Sequence, residues 1–224
     1  MKTQTKKQGI LGLGKRSTEF YLDELNRQYH NNHGDFHTFP CIVYYIDFNR
    51  LNPYLPDNFD QLIPELTHIL NDCFELPIHS CLIPNITLHE AYDVSKLNHR
   101  VIHPLELTVT YLLKNGIYAV LLFGSLHTMN SDYISKTLKN KNISVVIPSE
   151  EDKNIIDNFR KKVYHSEETQ EDFHHYKNIV SKYSESHNIL IACTELSVYS
   201  HQIDFTRIVD MALLQIDKVL SNTE

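Results

Sequence analysis

The chain has 224 residues, enough for one large or two small domains with a substantial hydrophobic core. It carries 21 basic and 28 acidic residues, a net charge of −7, and no sustained basic stripe, which disfavours binding to nucleic acid or to an acidic membrane. The opening MKTQTKK is not followed by an apolar segment, and no apolar run approaches ~18 residues. The sequence therefore predicts neither a signal peptide nor a membrane span, and it favours a cytoplasmic protein.

Cysteine and histidine usage gives no sign of a metal centre or a disulfide framework. Four cysteines are widely spaced, and none forms a C-x-x-C pair. We expect free thiols and no bound metal. Of the 14 histidines, His174 and His175 are neighbours on a predicted helix, where they face different directions and are typical of a solvated surface.

Strands and helices alternate along the whole chain. In the first half we predict a short strand with a glycine turn over 9–14, strands at 41–46, 81–84 and 101–103, and helices from about 17, over 59–74 and from 104 to 116. In the second half we predict strands at 119–123, 144–147 and 189–192, and helices from about 128, after 148, around 173–183 and over 205–220. The run 41–46 (CIVYYI) is expected to be a buried strand. This alternation is typical of parallel sheets with right-handed crossovers, and thus of an α/β fold.

The glycine turn near the start resembles two phosphate-binding motifs and satisfies neither. Gly14-Lys15 is followed by Arg16, where a P-loop needs Ser or Thr for magnesium. Gly12-x-Gly14 lacks the third glycine of a dinucleotide fingerprint. We therefore expect no nucleotide cofactor.

The most informative segment is 188–197, which reads NILIACTELS. Four apolar residues predict a strand buried on both faces, and it runs directly into Cys193, Thr194 and Glu195. The carboxyl end of such a strand is where ligands bind in open α/β sheets. Backbone N–H groups of the following helix are expected to lower the pKa of the Cys193 thiol toward neutrality from about 8.5. The alternative is that Cys193 is a small buried core residue.

Two short stretches of the first half have partial copies in the second half. Residues 79–85 match residues 187–193 at His, Leu and Ile, and Gly14 with Thr18 matches Gly124 with Thr128 at nearly the same separation. The shared offset indicates two similar α/β halves with a site between them.

With these residues the chain resembles the aspartate/glutamate racemase family of cofactor-independent racemases, over nearly its whole length. The resemblance implies two pseudo-symmetric α/β domains, an active-site cleft between them, no cofactor and usually a homodimer. We assign 1–103 plus 204–224 to the first domain and 104–203 to the second. The matching segments are the glycine-rich 9–14 with Ser17-Thr18, Leu122-Phe-Gly-Ser125 with Thr128-Met129, Ile147-Pro-Ser-Glu-Glu-Asp152, and Cys193-Thr-Glu195.

The chain departs from the family at the first catalytic cysteine. Where the family motif reads Pro-Cys-Asn-Thr-Ala-His, this chain reads Pro84-Asn-Ile-Thr-Leu-His89, so Asn85 occupies the cysteine position. The resemblance implies Cys193 as the general acid/base, with Asn85 facing it. Candidate substrate-binding residues are Thr87, Ser125, Thr194 and Glu195, with Asn49 or Arg50 from an earlier loop and His165 near a substrate-binding lysine of some relatives.

Racemisation without a cofactor needs one proton-transfer group on each face of the α-carbon. The amide of Asn85 does not ionise, so two-thiol racemisation is not available to this chain. Three functions remain open. The first, which the family favours, is a racemase or epimerase for a small amino acid or dicarboxylate that uses Cys193 and a water, His89 or another group. The second is a single-cysteine lyase resembling arylmalonate decarboxylases, and the third is a non-catalytic relative that binds a small acid.

Overall fold

The computed structural model describes residues 6–203 and 206–222 and divides into two compact units. One unit contains the described residues up to His103 and those from Gln215 onward, and the other is Pro104–Leu214. Each unit has a parallel sheet flanked by helices, with three strands in the first and four in the second. The predicted α/β class with two parallel sheets is confirmed.

The sheet of the first unit has the order β2-β1-β3. Its core lies where β1 and β3 meet the apolar face of α2. Three residues of that face, Leu62, Leu66 and Ile69, are fully buried. The elements of this unit are β1 (Lys7–Gly12), α1 (Lys15–His33), β2 (Cys41–Tyr45), α2 (Phe59–Glu75), β3 (Ile78–Leu82) and α3 (Leu88–Ser95).

The sheet of the second unit has the order β5-β4-β6-β7. Its two central strands are almost entirely apolar, because helices cover both faces of a parallel sheet. The elements are α4 (Pro104–Lys114), β4 (Ala119–Phe123), α5 (Leu126–Asn130), α6 (Asp132–Lys139), β5 (Ser144–Val146), α7 (Glu150–His165), α8 (Gln170–Ser184), β6 (Asn188–Ile191), α9 (Thr194–Ser197) and β7 (Ile208–Asp210). The last helix, α10 (Met211–Leu220), begins in this unit, and its residues from Gln215 onward belong to the first.

The run 41–46 was predicted to be a buried strand. The strand is present, but the prediction that it is buried was wrong. β2 pairs only with β1 and lies at the edge of its sheet, and its residues are half-buried or exposed. Ile42 and Tyr44 pack against the core, whereas Tyr45 is exposed. An apolar run alone does not distinguish a central strand from an edge strand covered on one face.

The predicted helix over 205–220 was wrong in its first part. Ile208 and Val209 belong to β7, which pairs in parallel with β6, and the helix begins at Met211. β7 therefore lies in the sheet of the second unit, although 204–224 was assigned to the first domain. The predicted positions Asp204 and Phe205 lie outside the described residues.

Two smaller differences concern 101–103 and the helix expected from Thr128. Within 101–103, Val101 alone pairs, through an isolated bridge to Cys81, and the segment is not a strand. The helix after β4 begins at Leu126, because Ser125 caps it. In the part of the chain that the structure describes, no helix is both long and apolar enough to span a bilayer.

Candidate active site

Cys193 lies two residues beyond the end of β6, directly before the single-turn helix α9. The backbone N–H of Ala192 donates to the carbonyl of Phe123 over 2.8 Å, which extends the pairing with β4 beyond the last strand residue. The N–H groups of Leu196 and Ser197 donate to the carbonyl of Cys193. The residue is thus held at the carboxyl end of the central strands, where ligands bind in parallel sheets.

The thiol of Cys193 is paired with a carboxylate. Its Sγ donates to Oε2 of Glu195 over 3.1 Å, and Oγ1 of Thr194 donates to the same oxygen over 3.4 Å. Only 8% of Cys193 is exposed. Cys193, Thr194 and Glu195 are therefore assembled into one local group, although Thr194 itself is buried.

The pKa of Cys193 is raised well above its ordinary value, so the expectation of a lowered pKa was wrong. Burial contributes most, and the negative charge of Glu195 adds to it, while the positive charge of Arg160 acts in the opposite direction. The one-turn helix after Cys193 does not offset the loss of water around the thiol. At neutral pH the residue is a protonated thiol, and thus a proton donor.

Arg160 was not among the predicted site residues, yet it is electrostatically coupled to Cys193 and Glu195. Its Nε donates to Oδ1 of Asp157 over 2.8 Å, whereas its Nη nitrogens donate to none of the described residues. Burial would lower the pKa of Arg160, but the nearby acidic groups Cys193, Asp157 and Glu195 raise it. Helical spacing could have identified Arg160, because it follows the buried Ile156 by four positions.

Asp157 joins this cluster to the loop after β4. It is 1% exposed and accepts from the backbone N–H of Leu126 (3.1 Å) and from Nζ of Lys161 (2.6 Å), as well as from Arg160. Burial would raise the pKa of Asp157, but the hydrogen bonds from Lys161 and Leu126 lower it. Asp157 is therefore an ionised anchor that fixes α7 against the β4 loop.

Ser125 has a structural role in that loop. Its Oγ accepts from the N–H of Thr128 (3.1 Å) and shares a hydrogen bond with Thr128 Oγ1 (2.9 Å). A Cβ at the preceding Gly124 would lie 2.8 Å from Thr128 Cγ2, so glycine is required for this close approach. The Gly124, Ser125 and Thr128 motif thus builds a compact cap at the end of β4.

The side chain of Asn85 closes the turn that leads into α3 in the first unit. Its Oδ1 accepts from the N–H of Leu88 over 3.0 Å, and its carbonyl accepts from Nδ1 of His89, also over 3.0 Å. This arrangement is typical of asparagine at a helix start. Thr87, at the cap position, makes no side-chain capping bond. That Asn85 faces Cys193 stays a prediction.

His89 is fully buried and neutral. Burial lowers its pKa to about 3, with a smaller contribution from His103, whose ring lies 5.0 Å away. Since Nδ1 donates to the carbonyl of Asn85, Nε2 carries the lone pair, and Nε2 has no hydrogen-bond partner among the described residues. The ring can accept a proton at Nε2 but has none to donate there.

The remaining predicted site residues are engaged or exposed. Asn49 is exposed in a short turn, and its N–H donates to Asp47. Nε of Arg50 pairs with Oε1 of Glu65 over 2.5 Å. His165 is the exposed last residue of α7. None of the three lies in the Cys193 group.

No cluster of metal ligands is found among residues 6–203 and 206–222. The four cysteines are free thiols. A cavity of about 350 Å³ between α7 and α8 is lined by Phe159, Lys162 and Asp172 among others, and no predicted site residue lines it.

Comparison with known proteins shows the fold. No protein-family model and no curated protein sequence matches the chain. An aspartate racemase homologue from Pyrococcus horikoshii OT3 superposes with a TM-score of 0.79 at 21% identity, covering 98% of this chain and 100% of that one. An aspartate racemase from Picrophilus torridus gives 0.78 at 18%, covering 98% and 94%. A glutamate racemase from Francisella tularensis, solved in complex with D-glutamate, gives 0.63 at 13%, covering 97% and 81%.

Proposed function

We propose that the protein is a member of the aspartate/glutamate racemase family that transfers a proton at Cα of a small amino acid or dicarboxylate through Cys193. The observation that carries the proposal is the Cys193 thiol, hydrogen-bonded to Glu195 at the carboxyl end of β6. The shared fold with an aspartate racemase and with a glutamate racemase that holds D-glutamate supports this substrate class.

The Cys193 and Glu195 pair supplies the proton acceptor that the reaction needs. Glu195 takes the thiol proton, the resulting thiolate removes the proton from Cα, and the electron pair of the C–H bond moves into an enediolate. Reprotonation from the same sulfur returns the starting enantiomer with its Cα hydrogen exchanged for one from solvent. No cofactor takes part in these steps.

Because Asn85 stands in place of the first catalytic cysteine, it hinders the delivery of a proton to the opposite face of the α-carbon. An amide neither removes nor returns a proton, so inversion requires water or His89 on that face. The buried, neutral His89 has no proton at Nε2 to donate. We therefore propose exchange of one enantiomer that is much faster than its inversion.

A second candidate is a single-cysteine decarboxylase. The raised pKa of Cys193 favours it, because a protonated thiol can deliver its proton to the enediolate that remains when CO₂ leaves. No opposing base is needed in that reaction. The substrate would be a malonate-type acid.

Solvent deuterium incorporation distinguishes these functions. L- and D-aspartate, L- and D-glutamate and a phenylmalonate would each be mixed with the protein in D₂O and followed by NMR at Cα. Exchange of an amino acid supports the proposal, and loss of CO₂ from the malonate supports the second candidate. If neither reaction is observed, the protein is interpreted as a non-catalytic acid-binding protein. Cys193→Ala is the inactive variant, and Cys41→Ala in the first unit is its matched control.

The family resemblance also supports a cytoplasmic homodimer. Light scattering on the purified chain tests the dimer, and a monomer at micromolar concentration would contradict it.

A further inference from the structure

Two exposed histidines and a tyrosine form a cluster of three rings where α1 ends. The ring centroids of His33 and His37 are 5.5 Å apart, and the ring of Tyr29 lies against both. We propose that His33 and His37 together bind one divalent transition-metal ion, such as Cu²⁺, Ni²⁺ or Zn²⁺. The proposed reaction at Cys193 uses neither histidine, so this site is independent of the proposed function.

The separation of the two imidazole rings suits a shared metal ion. Metal–nitrogen bonds of about 2.1 Å place the ring centroids of two imidazoles about 5 Å apart on one tetrahedral ion. The ring planes of His33 and His37 are inclined by 43°, so the two rings are not stacked on each other. Because both side chains are exposed, a small rotation is enough to bring their nitrogens to one ion.

A backbone hydrogen bond fixes the form in which His33 binds the metal. Its Nδ1 lies 2.9 Å from the carbonyl oxygen of Tyr29, and since a carbonyl only accepts, Nδ1 carries the proton. The lone pair of the neutral ring is then on Nε2. Metal-bound histidines are commonly held in this way, with the second ring nitrogen donating to a backbone carbonyl.

The turn after α1 returns His37 to the helix. Gly34 has a φ of 73°, a conformation that favours glycine, and its N–H donates to the carbonyl of His30 over 2.7 Å. Further along, the N–H of Phe39 donates to Oδ1 of Asn26 over 2.9 Å, and Phe39 is buried. The segment that carries His37 is therefore attached to α1 at both ends, which reduces the entropy lost when a metal binds.

The surroundings favour a cation that prefers nitrogen ligands. His33 is the last residue of α1, and the carbonyl end of a helix carries a partial negative charge that attracts cations. Imidazole suits Cu²⁺, Ni²⁺ and Zn²⁺, whereas Mg²⁺ and Ca²⁺ prefer oxygen. Among residues 6–203 and 206–222, no group of three or more His, Cys, Asp or Glu side chains is arranged to hold a metal. Water therefore completes the coordination, and the ion is exchangeable.

The sequence led us to expect no bound metal, and its spacing does not reveal this pair. His33 and His37 are four positions apart, which places two residues on one face of a helix, but α1 ends at His33. The turn at Gly34 brings the two rings together instead.

The test is calorimetric titration with Cu²⁺, the ion of highest affinity in the divalent series. His33→Gln and His37→Gln should each weaken the tightest Cu²⁺ site by at least about tenfold, because each removes one of two ligands. His30→Gln is the matched control, since His30 is also exposed in the last turn of α1 but lies outside the three-ring cluster. It should change the dissociation constant by less than about threefold.

Electron paramagnetic resonance with one equivalent of Cu²⁺ provides a second readout. The parent spectrum should show two coupled imidazole nitrogens, and the spectrum of either pair variant should show one. Several results would overturn the inference: a parent protein that does not bind Cu²⁺, unchanged affinity in His33→Gln or in His37→Gln, an equal loss in His30→Gln, or displacement of Cu²⁺ by excess Mg²⁺.

Discussion

The thiol of Cys193 donates to the carboxylate of Glu195 over 3.1 Å, two residues further along the chain. Burial raises the pKa of this thiol most, and the charge of Glu195 raises it further, so the proton stays on sulfur at neutral pH. A thiol that is to remove a proton must first lose its own, and Glu195 is the adjacent acceptor.

Replacing Glu195 with Gln should lower the pKa of Cys193, since the negative charge that raises it is removed. The thiolate then forms at lower pH, and the pH profile of Cys193 alkylation by iodoacetamide shifts to lower pH by about one unit. Peptide mass spectrometry assigns the modified cysteine. Glu185→Gln, at an exposed position after α8, should leave the profile in place. A shift to higher pH in Glu195→Gln contradicts the role of its charge.

Asn85→Cys tests whether this position belongs to the reaction. A thiol there provides the second proton-transfer group, and racemisation of aspartate or glutamate, followed by chiral chromatography, should rise well above that of the parent protein. Asn85→Ser is the control, because serine also caps helices but has no ionisable thiol. Loss of the amide cap should cost Asn85→Cys about 1 kcal/mol of unfolding free energy. Equal activity in the two folded variants would mean that position 85 takes no part.

His89 should make the protein less stable in acid. Its pKa is 6.5 in the unfolded chain and about 3 when folded, so between these values the unfolded chain binds a proton that the folded one does not. Stability therefore falls as pH decreases below 6.5, by roughly 2 kcal/mol down to about pH 5. In urea denaturation, His89→Gln should flatten this slope, and His165→Gln, at the exposed end of α7, should not. An unchanged slope in His89→Gln counts against a buried neutral His89.

Two buried tyrosines should respond in opposite ways to loss of the hydroxyl. Tyr176 is fully buried, and its hydroxyl finds no hydrogen-bond partner within the described residues, so Tyr176→Phe should leave the unfolding free energy unchanged or raise it by up to about 1 kcal/mol. Tyr21, equally buried, donates to Gln215, and Tyr21→Phe should lower the free energy by about 1 to 2 kcal/mol. Thermal or urea unfolding of both variants measures these changes. A large loss of unfolding free energy in Tyr176→Phe would contradict a Tyr176 hydroxyl without a hydrogen-bond partner among the described residues.

The sequence predicted the elements whose signal is local. The central strands β4 and β6 are continuous apolar runs, and the cysteine at the end of β6 follows directly from such a run. β7 was missed because its three residues, Ile208 to Asp210, are too few to show a strand period and continue into a true helix. The edge position of β2 depends on strand order, which apolar content does not encode.

In the site, too, features set by neighbouring residues in the sequence were predictable, whereas features set by tertiary packing were not. Cys193, Thr194 and Glu195 are consecutive, and their grouping was visible in the sequence. The direction of the Cys193 pKa depends on burial and on two charges, of which Arg160 comes from a helix distant in sequence. The capping bond of Asn85 was open to prediction from its position three residues before Leu88.

Deuterium exchange at Cα is the most direct test of proton transfer through Cys193. We predict that one enantiomer of aspartate or glutamate exchanges its Cα hydrogen in D₂O faster than it is inverted, and that Cys193→Ala abolishes the exchange while Cys41→Ala retains it. Exchange that persists in a folded Cys193→Ala variant, or its absence for all four amino acids with the parent protein, would contradict the proposed function.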